Sequence, residues 1–130
     1  AALNGQSGES AKLHFKFSQA DLAAALDADK TQPIFVYLTA DWCITCKVNE
    51  RRVLATDKTQ ALFAAQGVKI FKGDWTKQNA DITQYLTSFN RNGVPLYIYY
   101  GPANTQNEMR PAPVLLPQLL SFGDLEDLFN

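Results

Sequence analysis

The sequence predicts an α/β fold in which helices flank a central mixed β-sheet, and three observations carry that expectation. The run Ile34 to Leu38 is continuously apolar and rich in β-branched and aromatic residues, which suits a strand covered on both faces. Stretches of helical periodicity alternate with further strand-like runs, the order expected when helices pack on a sheet. The chain has 130 residues, 46% of them apolar and 19% charged, an ordinary globular composition long enough for one domain with a sizeable core. A formal charge of −1 supplies no basic field for nucleic acid. No apolar run approaches the ~20 residues of a membrane span, so the chain reads as soluble, and no signal peptide is read at its start. The compartment does not follow from that.

Residues 1–11 are small and polar and read as a linker, leaving 12–130 as the domain. Leu13, Phe15 and Phe17 alternate with His14 and Lys16, a strand expected to bury one face and to turn His14 outward. Ser18 with Asp21 three residues on is a helix start, and Leu22, Ala25 and Leu26 make a short amphipathic helix to about Asp29. Pro33 closes that interval, and the central strand Ile34 to Leu38 leads into Ala40-Asp41-Trp42. A helix continues through Val48, Val53 and Leu54. Asp57 with Gln60 is read as capping a second helical segment through Leu62 and Phe63 that Gly67 ends. Val68 to Phe71 is the next strand, followed by a polar loop around Asp74-Trp75-Thr76. Ile82, Tyr85, Leu86 and Phe89 recur at i, i+3, i+4 and i+7, the clearest helical stripe in the chain. Leu96 to Tyr100 is a strand, Gly101 to Pro113 a long turn, and Val114 to Leu116 the last strand. Ser121 with Asp124 starts a final helix whose Phe122, Leu125, Leu128 and Phe129 share a face.

The chemistry sits in Trp42-Cys43-Ile44-Thr45-Cys46. The chain's two cysteines are three positions apart, so their use is local. A thiolate is the attacking species in disulfide exchange, and a helix N-terminus favours negative charge, which is where Cys43 falls. Cys46 lies one turn deeper on the same face, placed to resolve a mixed disulfide at Cys43. A metal clip is the weaker reading, because zinc sites want about four ligands and His14 is the only histidine. A merely structural disulfide is also open, although a bridge closing so short a loop constrains the unfolded chain little. Trp42, directly before the nucleophile, reads as a shield for the thiol and part of a docking surface. Trp75 is open between such a role and a core plug. Lys47 reads as a solvated helix residue with a modest electrostatic influence on the thiolate.

The strand running into Trp-Cys-x-x-Cys-Lys, with Gly93-Val94-Pro95 before a later strand, resembles the thioredoxin superfamily over about residues 12–129. More narrowly, residues 40–50, Lys72-Gly73-Asp74-Trp75-Thr76, Asn92-Gly93-Val94-Pro95-Leu96-Tyr97 and Leu116-Pro117-Gln118-Leu119-Leu120 are similar to the C-terminal periplasmic domain of the DsbD and ScsB-like family. The resemblance implies a thioredoxin-like fold and a protein-disulfide reductase. Such a domain relays electrons from a membrane-embedded donor domain of the same parent protein to periplasmic thiol-disulfide partners. It implies a periplasmic domain, a monomer in isolation and tethered to the inner membrane in the full-length protein, with no cofactor or metal beyond a redox-active Cys43–Cys46 disulfide. It further implies a cis Val94–Pro95 bond facing the cysteines, with the Val94 backbone free to pair with an extended substrate. An oxidase or isomerase on the same fold, or a Cu(I)-binding thiol module, remains as an alternative.

One departure from the family pattern is informative. Many thioredoxins carry a buried acid six positions before the first cysteine, and Tyr37 stands there instead. Glu50 falls on the helical face of Cys43 and Cys46 and matches an acidic position of the DsbD-like domains. It is a candidate to accept the Cys46 proton or to raise thiol pKa values by like-charge repulsion, with Asp41 adding to the second effect. The alternative for Glu50 is a surface salt bridge beside Arg51 or Arg52.

Overall fold

The computed structural model describes residues 13–130; the expected linker at 1–11 lies outside the described residues. Five strands form one sheet: β1 (His14–Lys16), β2 (Ile34–Thr39), β3 (Lys69–Asp74), β4 (Leu96–Tyr100) and β5 (Val114–Leu115). Their spatial order is β1-β3-β2-β4-β5. The first three run parallel, β4 pairs antiparallel with β2 and β5 antiparallel with β4, so the sheet is mixed as expected. Five helices flank it: α1 (Gln19–Ala28), α2 (Ile44–Asn49), α3 (Asp57–Gln66), α4 (Ala80–Ser88) and α5 (Phe122–Glu126).

Central β2 explains the two-sided core. Ile34, Val36 and Leu38 face one layer, where they meet Leu22 of α1 and Ile82, Tyr85 and Leu86 of α4. Phe35 faces the other, against Phe63 of α3, Leu125 of α5 and Tyr97 of β4. Every β2 residue but Tyr37 is buried. Each large apolar side chain so covered contributes roughly 1.5–3 kcal/mol.

Local signals set most of the boundaries. Ser18 caps α1 by accepting from the Asp21 N–H. Ser121 and Asp124 cap α5 reciprocally, as their spacing predicts. Gly67 ends α3 at φ +66°, a left-handed conformation that glycine adopts without steric cost. The cap of α3 differs from the expectation: Thr56 accepts from the Thr59 N–H, while Gln60 reaches back to donate to the Leu54 carbonyl. A threonine hydroxyl already in extended backbone is the better cap than Asp57, which instead occupies the first turn.

Two strands depart from their expected form. β1 has no buried face; His14 and Lys16 are exposed and Phe15 is 38% exposed, because this short strand pairs only with β3 at the sheet edge. Phe15 covers itself partly by stacking on Phe71, with ring centroids 5.6 Å apart. β3 runs three residues past the expected end at Phe71. Gly73 permits this, since a Cβ there would lie 2.5 Å from Leu38 Cδ2. The helix through the cysteines is also not uniform: after Asn49 it widens into a π-helical turn, Glu50–Leu54.

Candidate active site

β2 delivers the chain to the site. Its last residue, Thr39, is followed by Ala40, which packs against both cysteines. Cys43 is the N-cap of α2, and its Sγ accepts from the Cys46 N–H at 3.1 Å. The two cysteines are joined in a disulfide, with Cα atoms 5.3 Å apart. Cys46 is wholly buried, whereas Cys43 keeps 8% of its surface. The expectation of an exposed Cys43 is corrected: in the disulfide form it is nearly as buried as Cys46, because Ala40 and Val94 pack against the pair. Facing the pair is the loop before β4: the Val94–Pro95 bond is cis, and the Val94 carbonyl oxygen lies 3.8 Å from Cys43 Sγ. Beside it, Gly93 faces open space where a side chain would stand.

Trp42, directly before Cys43, is 51% exposed. Its Nε1 donates to the Thr76 carbonyl at 3.0 Å, and the Asp41 N–H donates to Thr76 Oγ1 at 2.8 Å. Thr76 is itself held by the Asp74 carboxylate, which accepts from its hydroxyl and its N–H; those two donors hold the Asp74 carboxyl below the usual range. Trp75, left open from sequence, is a core plug. It is buried, donates from Nε1 to Thr83 Oγ1 at 2.9 Å and backs the Trp42 ring at a centroid distance of 5.8 Å.

Glu50 opens the π-helical turn. Its Oε2 accepts from the Thr39 hydroxyl at 2.5 Å, and Lys47 Nζ lies 3.8 Å from its Oε1. Lys47 stands 3.6 Å from Asp41 as well. The Lys47 side chain is 39% exposed on the helix surface, three positions before Glu50, and there it joins two carboxylates; it, rather than Arg51 or Arg52, supplies the salt bridge. Tyr37 flanks the same pocket. Burial, and then the charge of Glu50, pushes its hydroxyl up to about 12. Tyr97 is likewise pushed up to about 12 by burial, against a hydrogen bond from Asn49 that lowers it.

Two residues of this neighbourhood escaped the sequence reading. Asn49 is buried and donates to the Tyr97 hydroxyl at 2.9 Å and the Gln118 carbonyl at 2.7 Å, while its Oδ1 accepts from the Leu120 N–H at 3.2 Å. It ties the cysteine helix to the segment after β5. An amide on the inner face of an amphipathic helix was the available signal. Thr39 is the second, a hydroxyl at the end of an otherwise apolar strand. Among the described residues no group of three or more His, Cys, Asp or Glu is arranged to hold a metal ion. None of the described helices is long and apolar enough to cross a membrane.

The chain is similar to known proteins. The DsbD thiol:disulfide interchange protein of Pseudomonas fluorescens is 34% identical over 91 residues, 68% of this chain and 15% of that protein. DsbD 2 of Pseudomonas aeruginosa is 33% identical over 116 residues, 85% of this chain and 19% of that one. The chain thus spans less than a fifth of the relatives' length. In structure it is similar to the oxidised C-terminal domain of Neisseria meningitidis DsbD, with a TM-score of 0.56 and 23% identity over 77% of this chain and 85% of that one. A thioredoxin from Thermus thermophilus superimposes with a TM-score of 0.62 at 12% identity, covering 87% of this chain and 82% of that one. The thioredoxin-like family profile matches residues 17–102, from the end of β1 to just past β4 and so across the whole cysteine site. With the mixed sheet, the cysteine pair at the mouth of β2 and that match in agreement, the chain belongs to the thioredoxin-like family.

Proposed function

We propose that this domain is a protein-disulfide reductase that relays electron pairs from a membrane-embedded donor domain of its parent protein to periplasmic thiol-disulfide proteins. The observation that carries the reading is the Cys43–Cys46 disulfide at the start of α2, with Cys43 at the helix cap and Cys46 wholly buried one turn on. The similarity to DsbD proteins supports its direction and its place in the periplasm, at the inner membrane.

In the reduced domain, the Cys43 thiolate attacks one sulfur of a partner disulfide, forming a mixed disulfide and releasing the partner's first thiolate. Cys46 then loses its proton and attacks Cys43 Sγ. The partner leaves with both sulfurs reduced, and the Cys43–Cys46 disulfide holds the oxidising equivalent until a donor dithiol reverses the two steps. No cofactor is needed for that cycle. Trp42, Val94 and Pro95 frame Cys43, where an extended partner segment docks, with main-chain pairing at Val94 giving tolerance of side chains. Glu50 accepts the Cys46 proton, and while charged it disfavours the Cys43 thiolate in the free domain. A relay so restrained reacts slowly with random disulfides and fast with a docked partner.

The test uses metal-free protein. Cys46→Ser should trap a mixed disulfide at Cys43 with a disulfide-bearing partner, and the wild type should reduce that partner catalytically when supplied with a dithiol donor. Trapping only in Cys43→Ser would overturn the assignment of nucleophile and resolver. Activity only after adding copper or zinc would overturn the relay itself. A reduction potential as oxidising as that of disulfide isomerases would favour the isomerase reading instead.

A further inference from the structure

We propose that Thr39 is the positioning residue for the Glu50 carboxylate, so that its hydroxyl, acting through Glu50, sets the pH dependence of thiol reactivity at Cys43. The inference rests on the role given to Glu50 above and adds to it the group that aims the carboxylate.

Thr39 is 3% exposed, at the end of β2 beside Ala40 and the cysteines. Its backbone is fixed, since its carbonyl accepts from the Trp75 N–H at 2.7 Å and its Cα pairs with Asp74 across the β2–β3 ladder. A β-branched side chain on a fixed strand has few rotamers, so the hydroxyl has a defined direction. In so buried a position valine would fill the same space without the cost of burying a hydroxyl. The hydroxyl's partner is Glu50 Oε2.

Glu50 is a long side chain that needs such an anchor. Its other tie, Lys47, is 39% exposed, stands 3.8 Å away and is shared with Asp41, and an exposed shared ion pair holds little. The groups around the carboxylate come from several elements. Tyr37 of β2 and Tyr97 of β4 lie near enough for its charge to act on their hydroxyls. His14 of β1 and Lys72 of β3 line, with Glu50, a cavity of about 220 Å³, to which α3 adds only the neutral Gln60 and Phe63. Without the Thr39 hydroxyl, Lys47, Lys72 and water draw the carboxylate outward, away from the buried cysteine pair. Its repulsion of the Cys43 thiolate then falls.

The experiment follows alkylation of the fully reduced protein by iodoacetamide across pH for wild type, Thr39→Val, Thr39→Ser, Glu50→Gln and the Thr39→Val/Glu50→Gln double variant, with thermal unfolding in parallel. Thr39→Val should shift the apparent pKa of Cys43 downward by about half a pH unit, a roughly threefold faster reaction near pH 7. Thr39→Ser, which keeps the hydroxyl, should follow the wild type. Glu50→Gln should shift the profile further the same way, and adding Thr39→Val to it should change nothing more, as required when one residue acts through the other. If Glu50→Gln moves the profile and Thr39→Val does not, the role of Thr39 is overturned and that of Glu50 stands. If Glu50→Gln leaves the profile in place, the Glu50 reading fails and this inference with it. A Thr39→Val shift that persists in the double variant would show Thr39 acting on the thiols by another route. Should Thr39→Val not fold, Thr39→Ala makes the same comparison, and failure of both to fold would make the hydroxyl structural and overturn the inference.

Discussion

Asn49 carries three hydrogen bonds in a space water does not reach, and what happens when it is removed distinguishes a structural amide from a catalytic one. Asn49→Ala leaves the Tyr97 hydroxyl, the Gln118 carbonyl and the Leu120 N–H to find new partners. Each orphaned group costs ~1–3 kcal/mol, with partial relief from relaxation, so we expect a loss of about 3 kcal/mol in urea unfolding. Alkylation of Cys43 in the folded variant should keep its wild-type pH profile, unlike that of Glu50→Gln. At this scale the sequence was legible wherever chemistry is local. Cys43 and Cys46 declare themselves by spacing, and Glu50 by its place on their helical face. Thr39 and Asn49 did not, because their partners Glu50 and Tyr97 lie on other elements, and side-chain pairing between elements leaves no periodic trace.

Among the elements, β3 shows how one missing side chain sets the distance between layers. Gly73 lies where a Cβ would meet Leu38 Cδ2 at 2.5 Å, Ile82 Cδ1 at 3.1 Å and Phe17 Cβ at 3.2 Å. Gly73→Ala must push the side chains of Leu38 and Ile82 and the chain at Phe17 aside, and overpacking of that kind costs ~1–3 kcal/mol. Thermal unfolding should register the loss, and a Tm equal to the wild type would mean that the layer gives way freely. Helices with a clear stripe, such as α4, and caps such as Ser18 and Ser121 were readable because the signal and the structure are both local. The π-helical turn was not, since one extra residue in a turn does not disturb the apolar pattern of Val53 and Leu54. β1 was misjudged for a related reason: alternation marks a strand, but only its neighbours decide whether a second layer covers it.

Across the whole molecule, the five tyrosines give the fold a common response to alkali. Tyr37, Tyr85, Tyr97, Tyr99 and Tyr100 all have hydroxyls raised by burial first, Tyr37 and Tyr97 to about 12. A hydroxyl raised in the folded state contributes stability that is complete below its unfolded value near 10 and is lost as pH climbs through the folded value. Stability should therefore hold to about pH 10 and fall across pH 10–12, with tyrosinate absorbance appearing together with unfolding rather than before it. Tyrosinate rising at pH 10 in a still-folded protein would contradict this. The mixed sheet was legible as a class from the alternation of strands and helices. The strand order was not, because pairing of β2 with both β3 and β4 depends on contacts 35 to 66 positions apart.

The long segment after β4 belongs to the same scale. Gly101 to Pro113 reads as a turn, yet it reaches back to the end of α1: Arg110 donates to the Leu26 and Asp29 carbonyls, Gln106 to those of Asp27 and Ala28, and the Ala103 N–H to that of Lys30. These bonds satisfy helix-end carbonyls with a guanidinium and amides placed 73 to 84 positions later in the chain. Within this domain α1 is synthesised before residues near 110 and waits for them before its end is closed. Until then the bonds from residues 103–110 are unmade, and this helical layer stays open to unfoldases, proteases and chaperones while the rest of the domain appears.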